Sequence, residues 1–385
     1  MKSLTLKRNA SVELLRLFGI LMILGYHNIQ VDLVIEGTYH FSIDYLTGFY
    51  SDCVPMFFMI MGFYLFQKTS YLQLIQKTIR KIILPTLLLF AAYFYLYDWI
   101  INGQTLYASI HRPLSDYLHM IKSLLTFQSP YPYTNHTWYL FLYVLIVLLF
   151  PAMDGLVKYL DQDVRREKIF LLSTLLLFMI NDVFSNEFLA FSFHTTGGVF
   201  PAFIMVIWGH ILYRHRNIFM HKWYAVLSQL GFFGANLIRT FIVYHRISPD
   251  GVWDTQIKAW YSSFGLICPT LLIIFAFNII DGQKNTRLNH TICLLAKINL
   301  PMYLLHQICL DYLTSSGFRI RSAAFAYSHF SETVGNYVVV AIDTFVSFIL
   351  TLILVLLVLG VKNIILHTFN FLKPAARSDK SDHTH

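Results

Sequence analysis

The chain has 385 residues, 56% of them hydrophobic and only 13% charged, with 34 Phe and 24 Tyr. A soluble domain carries about 25% charged residues, so this composition excludes one and defines an integral membrane protein, with all-α architecture as the expectation. The formal charge of +8 does not point to nucleic acid, because the basic residues cluster at the ends of apolar runs, the pattern of topology signals and of contact with anionic lipid.

Ten apolar segments follow one another at roughly 12–34, 52–67, 82–101, 137–158, 168–185, 198–213, 222–244, 259–280, 291–314 and 335–367. The first begins after Lys2, Lys7 and Arg8 with no cleavage site, and reads as an uncleaved span. It carries Arg16 and His27. Eleven residues at about 100° each come to about 20° past three full turns, so both lie on one helix face, about 16 Å apart along the axis. Charged and titratable groups inside a span face a protein interior or a wet cavity and mark chemistry or transport. Neutral imidazole at His27, toward the outer side, is suited to take a proton from an alcohol. Glu13, three residues before Arg16, is its expected partner on the helix surface.

The second segment holds Val54 to Leu65, including Tyr64. Between it and the third, Gln76 to Pro85 reads as a basic cytoplasmic loop. Lys77, Arg80 and Lys81 fall within about one helical turn there and suit a phosphorylated ligand. The largest outer loop, near 102–136, is aromatic and contains Pro113, Pro130 and Pro132. Trp138 opens the fourth segment, just after a weak glycosylation sequon, Asn135-His136-Thr137. The ninth holds Tyr303 and His306, a second intramembrane titratable group that can share a cavity with His27; Asp311 follows five residues later. His194, His210 and His290 read as surface or interfacial. The tenth segment is longer than one span.

With the N-terminus in the cytoplasm, 21 Lys and Arg fall on the inner side and seven on the outer (Arg112, Lys122, Arg239, Arg246, Lys258, Arg319 and Arg321), Arg16 being in the membrane. That asymmetry predicts ten helices with both termini cytoplasmic. Residues 1–372 then form one transmembrane domain, and 373–385 a short polar tail. Cys53, Cys268, Cys293 and Cys309 form no spaced cluster and read as free, buried thiols, so no disulfide framework or metal site is expected. No nucleophile elbow, phosphate-binding glycine loop or His-Glu-Xaa-Xaa-His occurs. No internal repeat supports an inverted-repeat transporter.

Taken together these stretches resemble the acyltransferase 3 family of bacterial membrane acyltransferases. Arg16, ten residues and His27 match its helix 1 hallmark. Val54-Pro55-Met56-Phe57-Phe58-Met59-Ile60-Met61-Gly62-Phe63-Tyr64-Leu65 resembles its helix 2 signature, and the basic stretch ending at Pro85 its approach to helix 3. Thr137-Trp138-Tyr139-Leu140 and Asn299 to His306 resemble its later motifs. The chain departs from the family in having Met61 where Ser is usual, and Lys77 and Lys81 in place of some arginines; Lys lacks the bidentate fork of Arg. The resemblance implies transfer of an acyl group, usually acetyl, from cytoplasmic acyl-CoA to a hydroxyl of a cell-surface glycan or its lipid-linked precursor, in the bacterial inner membrane. His27 and Arg16 would be catalytic, with His27 as base or acyl carrier. Lys77, Arg80, Lys81 and Trp138 would bind acyl-CoA. Glu13, Tyr64, Tyr303 and His306 would support them. Without the SGNH domain that many relatives carry, the chain either acylates its glycan directly or hands the acyl group to a separate extracytoplasmic acyltransferase. A flippase for a lipid-linked sugar is the alternative from another class. It predicts broken helices with polar groups near the midplane. A third reading is a partner in a polysaccharide-export complex with a dead site.

Overall fold

A computed structural model describes residues 9–32, 41–67, 70–125, 138–184, 198–245, 260–280 and 286–372, and among them every regular element is a helix. The tail 373–385, the sequon 135–137, Pro130, Pro132, His194, Arg246 and Lys258 lie outside the described residues.

The first helix, α1, is Ala10–Asp32. Asn9 starts it, its Oδ1 accepting from the Ser11 N–H at 3.0 Å and so satisfying one of the orphan donors of the first turn. The expected second span starts earlier than its apolar run suggests. α2 (Phe41–Ser51) and α3 (Cys53–Leu65) form one span broken at Asp52. Gln76 to Pro85 is not a loop. α4 (Tyr71–Thr78) passes through a π-helical turn at Ile79–Ile83 into α5 (Leu84–Ile100). Ser70 caps this helix from the Gln73 N–H. Pro85 has no N–H for the carbonyl four residues back, and its ring crowds that carbonyl. The ladder widens instead, with the Leu84 N–H donating to Ile79 O, and the helix survives the proline as a π turn.

The expected outer loop also contains helices, α6 (Leu106–Ile110) and α7 (Leu114–Leu125), tied to α5 by an Arg112–Asp98 ion pair. The expected single span 137–158 is two helices, α8 (Trp138–Leu148) and α9 (Phe150–Leu160), bent by 66° at Leu149. Pro151 at the start of α9 accounts for the break. Then come α10 (Val164–Phe184), α11 (Val199–Arg214), α12 (Arg216–Phe219), α13 (Lys222–His245) and α14 (Phe264–Ile279). They are followed by α15 (Arg287–Leu295), a 3-10 turn at Ala296–Ile298, α16 (Asn299–Ser315), α17 (Phe318–His329) and the 41-residue α18 (Glu332–Leu372).

Among the described residues six helices are long and apolar enough to cross a membrane, or seven if the bent α8–α9 pair is one span. The protein is a multi-pass membrane protein. α1 is its axis, packed against α2, α3, α14, α15, α16 and α18. The closest helix pair is α3 and α11. A Cβ at Gly62 would lie 1.9 Å from the Val206 carbonyl oxygen, and one at Gly209 1.9 Å from the Met59 carbonyl oxygen. Small residues let two backbones touch where lipid offers no hydrophobic drive to hold them together. This contact fixes α3, and with it Phe57, Phe58 and Tyr64, against the rest of the bundle.

Of the five basic residues assigned to outer loops that are described, two are buried in the protein. Arg239 is 1% exposed, on α13, and pairs with Asp52 (1% and 0% side-chain exposure, 2.8 Å). Its guanidinium also donates to Gly48 O at 3.0 Å and Ser51 Oγ at 3.1 Å. The pair holds the α2–α3 break against α13. Arg319, on α17, is 3% exposed. Counting basic residues by loop cannot separate such buried charges from topology signals, because both fall near span ends.

Candidate active site

Arg16 stands one turn above Glu13, donating to both carboxylate oxygens at 3.3 Å. The two side chains differ in environment: Glu13 is 2% exposed, Arg16 31%. The carboxylate is sealed in while the guanidinium is presented to open space. Arg16 Cζ sits 5.3 Å from the centroid of the Tyr64 ring, on α3, in cation–π range. Its charge also acts on the phenols of Tyr139 and Tyr143, on α8. Arg16 therefore faces the gap between α1, α3 and α8.

From that gap a row of aromatic rings leads to His27. Tyr139 lies 4.7 Å from Phe58 and 6.1 Å from Phe57 on α3, and 6.0 Å from Tyr303 on α16. Tyr303 is 5.9 Å from His306, and the His306 ring is 5.2 Å from that of His27. α1 and α16 meet along this stretch. Tyr303 and His306 are three residues apart and share a face of α16, as Arg16 and His27 share one of α1. His27 is surrounded by protein yet keeps accessible surface, as a side chain on a narrow internal space does. His306 is buried, its Nδ1 2.6 Å from the Tyr303 carbonyl oxygen. A carbonyl only accepts, so Nδ1 carries the proton in neutral His306 and Nε2 is the basic nitrogen.

The basic segment lies on the adjoining face of the bundle. Lys77, Arg80 and Lys81 are exposed, and none makes a hydrogen bond or ion pair among the described residues. Thr78, beside Lys77, is buried, and the Tyr71 hydroxyl donates to the Leu148 carbonyl at 3.1 Å. α4, which carries Lys77, is thereby fastened to the end of α8. Trp138 lies five residues away at the other end of α8. It stacks on Trp260 at 5.5 Å and 23°, and no contact joins it to Lys77, Arg80 or Lys81 among the described residues. The structure thus gathers Glu13, Arg16 and Tyr64 at one level, and Tyr303, His306 and His27 at another. Trp138 stands apart from the basic turn.

Sequence reasoning missed a buried polar network beside His27. Arg319 Nη2 donates to Asn28 Oδ1 at 2.8 Å, and the Arg319 charge acts on both His27 and Asp311. Asn28 Nδ2 lies 3.4 Å from Thr344 Oγ1 and from Ser347 Oγ, on α18. Ser322 donates to Asp343 at 2.7 Å. Asp311 accepts from Tyr97 at 2.9 Å and from Gln307 at 2.8 Å. The available signal was Asn28, a buried-span amide next to His27. His210, read as interfacial, is part of a cluster with Asp161, Glu167, Arg214 and His215 at the end of α11.

The bundle thus carries a contiguous row of rings from Tyr139, near Arg16, through Tyr303 to the His306–His27 pair. The chain matches the model of the acyltransferase 3 family, described as an acyltransferase domain, over residues 9–361. It belongs to that family and is a membrane acyltransferase. Nothing matches among curated proteins or among solved structures.

Proposed function

We propose that the protein is an O-acyltransferase of the bacterial inner membrane, its two termini cytoplasmic. It moves an acyl group, most simply acetyl, from cytoplasmic acyl-CoA to a hydroxyl of a surface glycan or its lipid-linked precursor. The observation that supports this reading is the contact row from Tyr139, which feels the charge of Arg16, through Tyr303 to the His306–His27 pair at 5.2 Å. Lys77, Arg80 and Lys81 meet the CoA phosphates as point charges and one fork. The pantetheine arm enters past Arg16 and Tyr64 and lies against the aromatic rings. His27 takes the proton of the acceptor hydroxyl as its oxygen attacks the thioester carbonyl. The carbon–sulfur bond breaks, and the thiolate of CoA leaves and takes up a proton. His306, its ring 5.2 Å from that of His27, supports the base from α16. Trp138 and Trp260 stack beside Phe58 and line the passage rather than the phosphate site. The glycan is either acylated here or receives the group from a separate extracytoplasmic acyltransferase; nucleic acid has no part.

The test is transfer of radiolabelled acetyl from acetyl-CoA into glycan, with membranes bearing wild type, His27→Ala or Arg16→Ala at matched expression. Wild type should label glycan, and both variants should fall to background. Label that survives His27→Ala would overturn the role given to His27. Wild-type membranes inactive with acetyl-CoA and with longer acyl-CoAs would favour movement of a lipid-linked sugar instead.

A further inference from the structure

Asn299 has the least economical environment of any polar side chain in the passage. It is 8% exposed, and neither its Nδ2 nor its Oδ1 has a hydrogen-bond partner among the described residues. A buried amide without partners costs free energy, and native proteins rarely keep one without a use for it. Asparagine near a helix start usually caps it, but this one does not. The cap position is Ile298, which makes no side-chain cap bond, and Asn299 itself has helical backbone angles (φ −57°, ψ −46°). Two residues further on stands Pro301, which has no N–H to be capped.

Asn299, Tyr303 and His306 fall at i, i+4 and i+7 and so form one stripe of α16. Two members of that stripe are already placed: Tyr303 meets Tyr139, and His306 meets His27. Asn299 is the third, about 10 Å nearer the start of α16 than His306. α1 is in contact with the turn before α16, so the start of α16, where Asn299 stands, is held against α1.

We infer that Asn299 is a binding residue for the donor: its carboxamide pairs with a backbone-like amide of the pantetheine arm when the thioester lies at the histidine pair. The inference rests on the acyl-CoA reading proposed above. A primary carboxamide offers one acceptor and two donors, the complement of a secondary amide. The spacing agrees. The second amide nitrogen of pantetheine is seven bonds from sulfur, about 8 Å in an extended chain at about 1.2 Å per bond. Adding the reach of the histidine to the reacting carbonyl gives about the separation of Asn299 from His306 along α16. Among the described residues the amide has no partner; a donor amide would supply one. That difference favours the bound state over the free one.

The test compares wild type, Asn299→Leu and Asn299→Ser in membranes. It reads KM for acetyl-CoA, kcat, and thermal stability of the detergent-solubilised protein. Leucine keeps the volume and removes the stranded polar atoms, so Asn299→Leu should be at least as heat-stable as wild type. Its KM for acetyl-CoA should nevertheless rise about tenfold with kcat little changed, the signature of lost donor binding. Asn299→Ser, retaining one hydroxyl, should lie between. A heat-stable Asn299→Leu with wild-type KM would overturn the inference while leaving the acyltransferase reading intact. A wild type that neither uses acetyl-CoA nor binds CoA would overturn that reading and this inference together.

Discussion

Gly62→Ala adds one methyl group at the tightest point between α3 and α11. The new Cβ would stand 1.9 Å from Val206 O and 2.9 Å from His210 N. Both atoms are backbone, so no side chain can turn aside. The helices must separate by about 1 Å to restore ordinary contact, and overpacking of this kind costs about 1–3 kcal/mol. Alanine recovers about 0.8–1 kcal/mol of helix propensity relative to glycine. The net is a loss of roughly 0–2 kcal/mol, a fall of up to a few degrees in apparent melting temperature for a large chain. Gly234→Ala is the control: it is also mid-helix, on α13, and its Cβ meets nothing within 4 Å. That variant should gain about 0.5–1 kcal/mol. Thermal unfolding of purified protein in detergent, at one fixed scan rate, reads both. If Gly62→Ala is as stable as Gly234→Ala, the two backbones do not touch as described and the argument for the anchoring of α3 fails.

Two other perturbations bear on charge. Removing one partner of the Asp52–Arg239 pair strands the other inside the bundle, at a cost of about 3–5 kcal/mol. Arg239→Leu should unfold well below wild type, and Asp52→Leu/Arg239→Leu should recover part of the loss; a double variant no better than the single would refute a stranded-charge cost. Lys77, Arg80 and Lys81 are exposed, so the attraction for CoA phosphates proposed for them would be screened by salt. The KM of wild type for acetyl-CoA should rise with ionic strength, and K77Q/R80Q/K81Q should begin high and depend on salt less. Equal salt dependence in the two would take the phosphate site elsewhere.

Residues close in sequence or periodic along one helix were legible beforehand. Arg16, Glu13 and His27 needed only 100° per residue, and Tyr303 with His306 only their place in an apolar run. Contacts between distant segments were not. Asn28 and Arg319 are 291 positions apart, and no local pattern links an amide on α1 to an arginine that resembles an outer-loop charge. Asp52 and Arg239 escaped notice for the same reason. Pro85 and Pro151 both sit inside apolar runs and look alike in sequence. One is absorbed by a π turn within a continuous helix, and the other stands at the start of a helix bent by 66° from the one before it. The stranded amide of Asn299 is likewise a property of the packed bundle.

The bend at Leu149 also changes the scale of the barrier. α8 has 11 residues, about 16 Å of rise, roughly half of a hydrocarbon slab about 30 Å thick. Arg16 and His27 are separated by the same rise. On the function proposed above, a donor whose flexible arm matches that rise would present its acyl group at His27 while its phosphates stay at Lys77, Arg80 and Lys81. Transfer across the protein would then be set by the reach of the arm, with no alternating-access cycle.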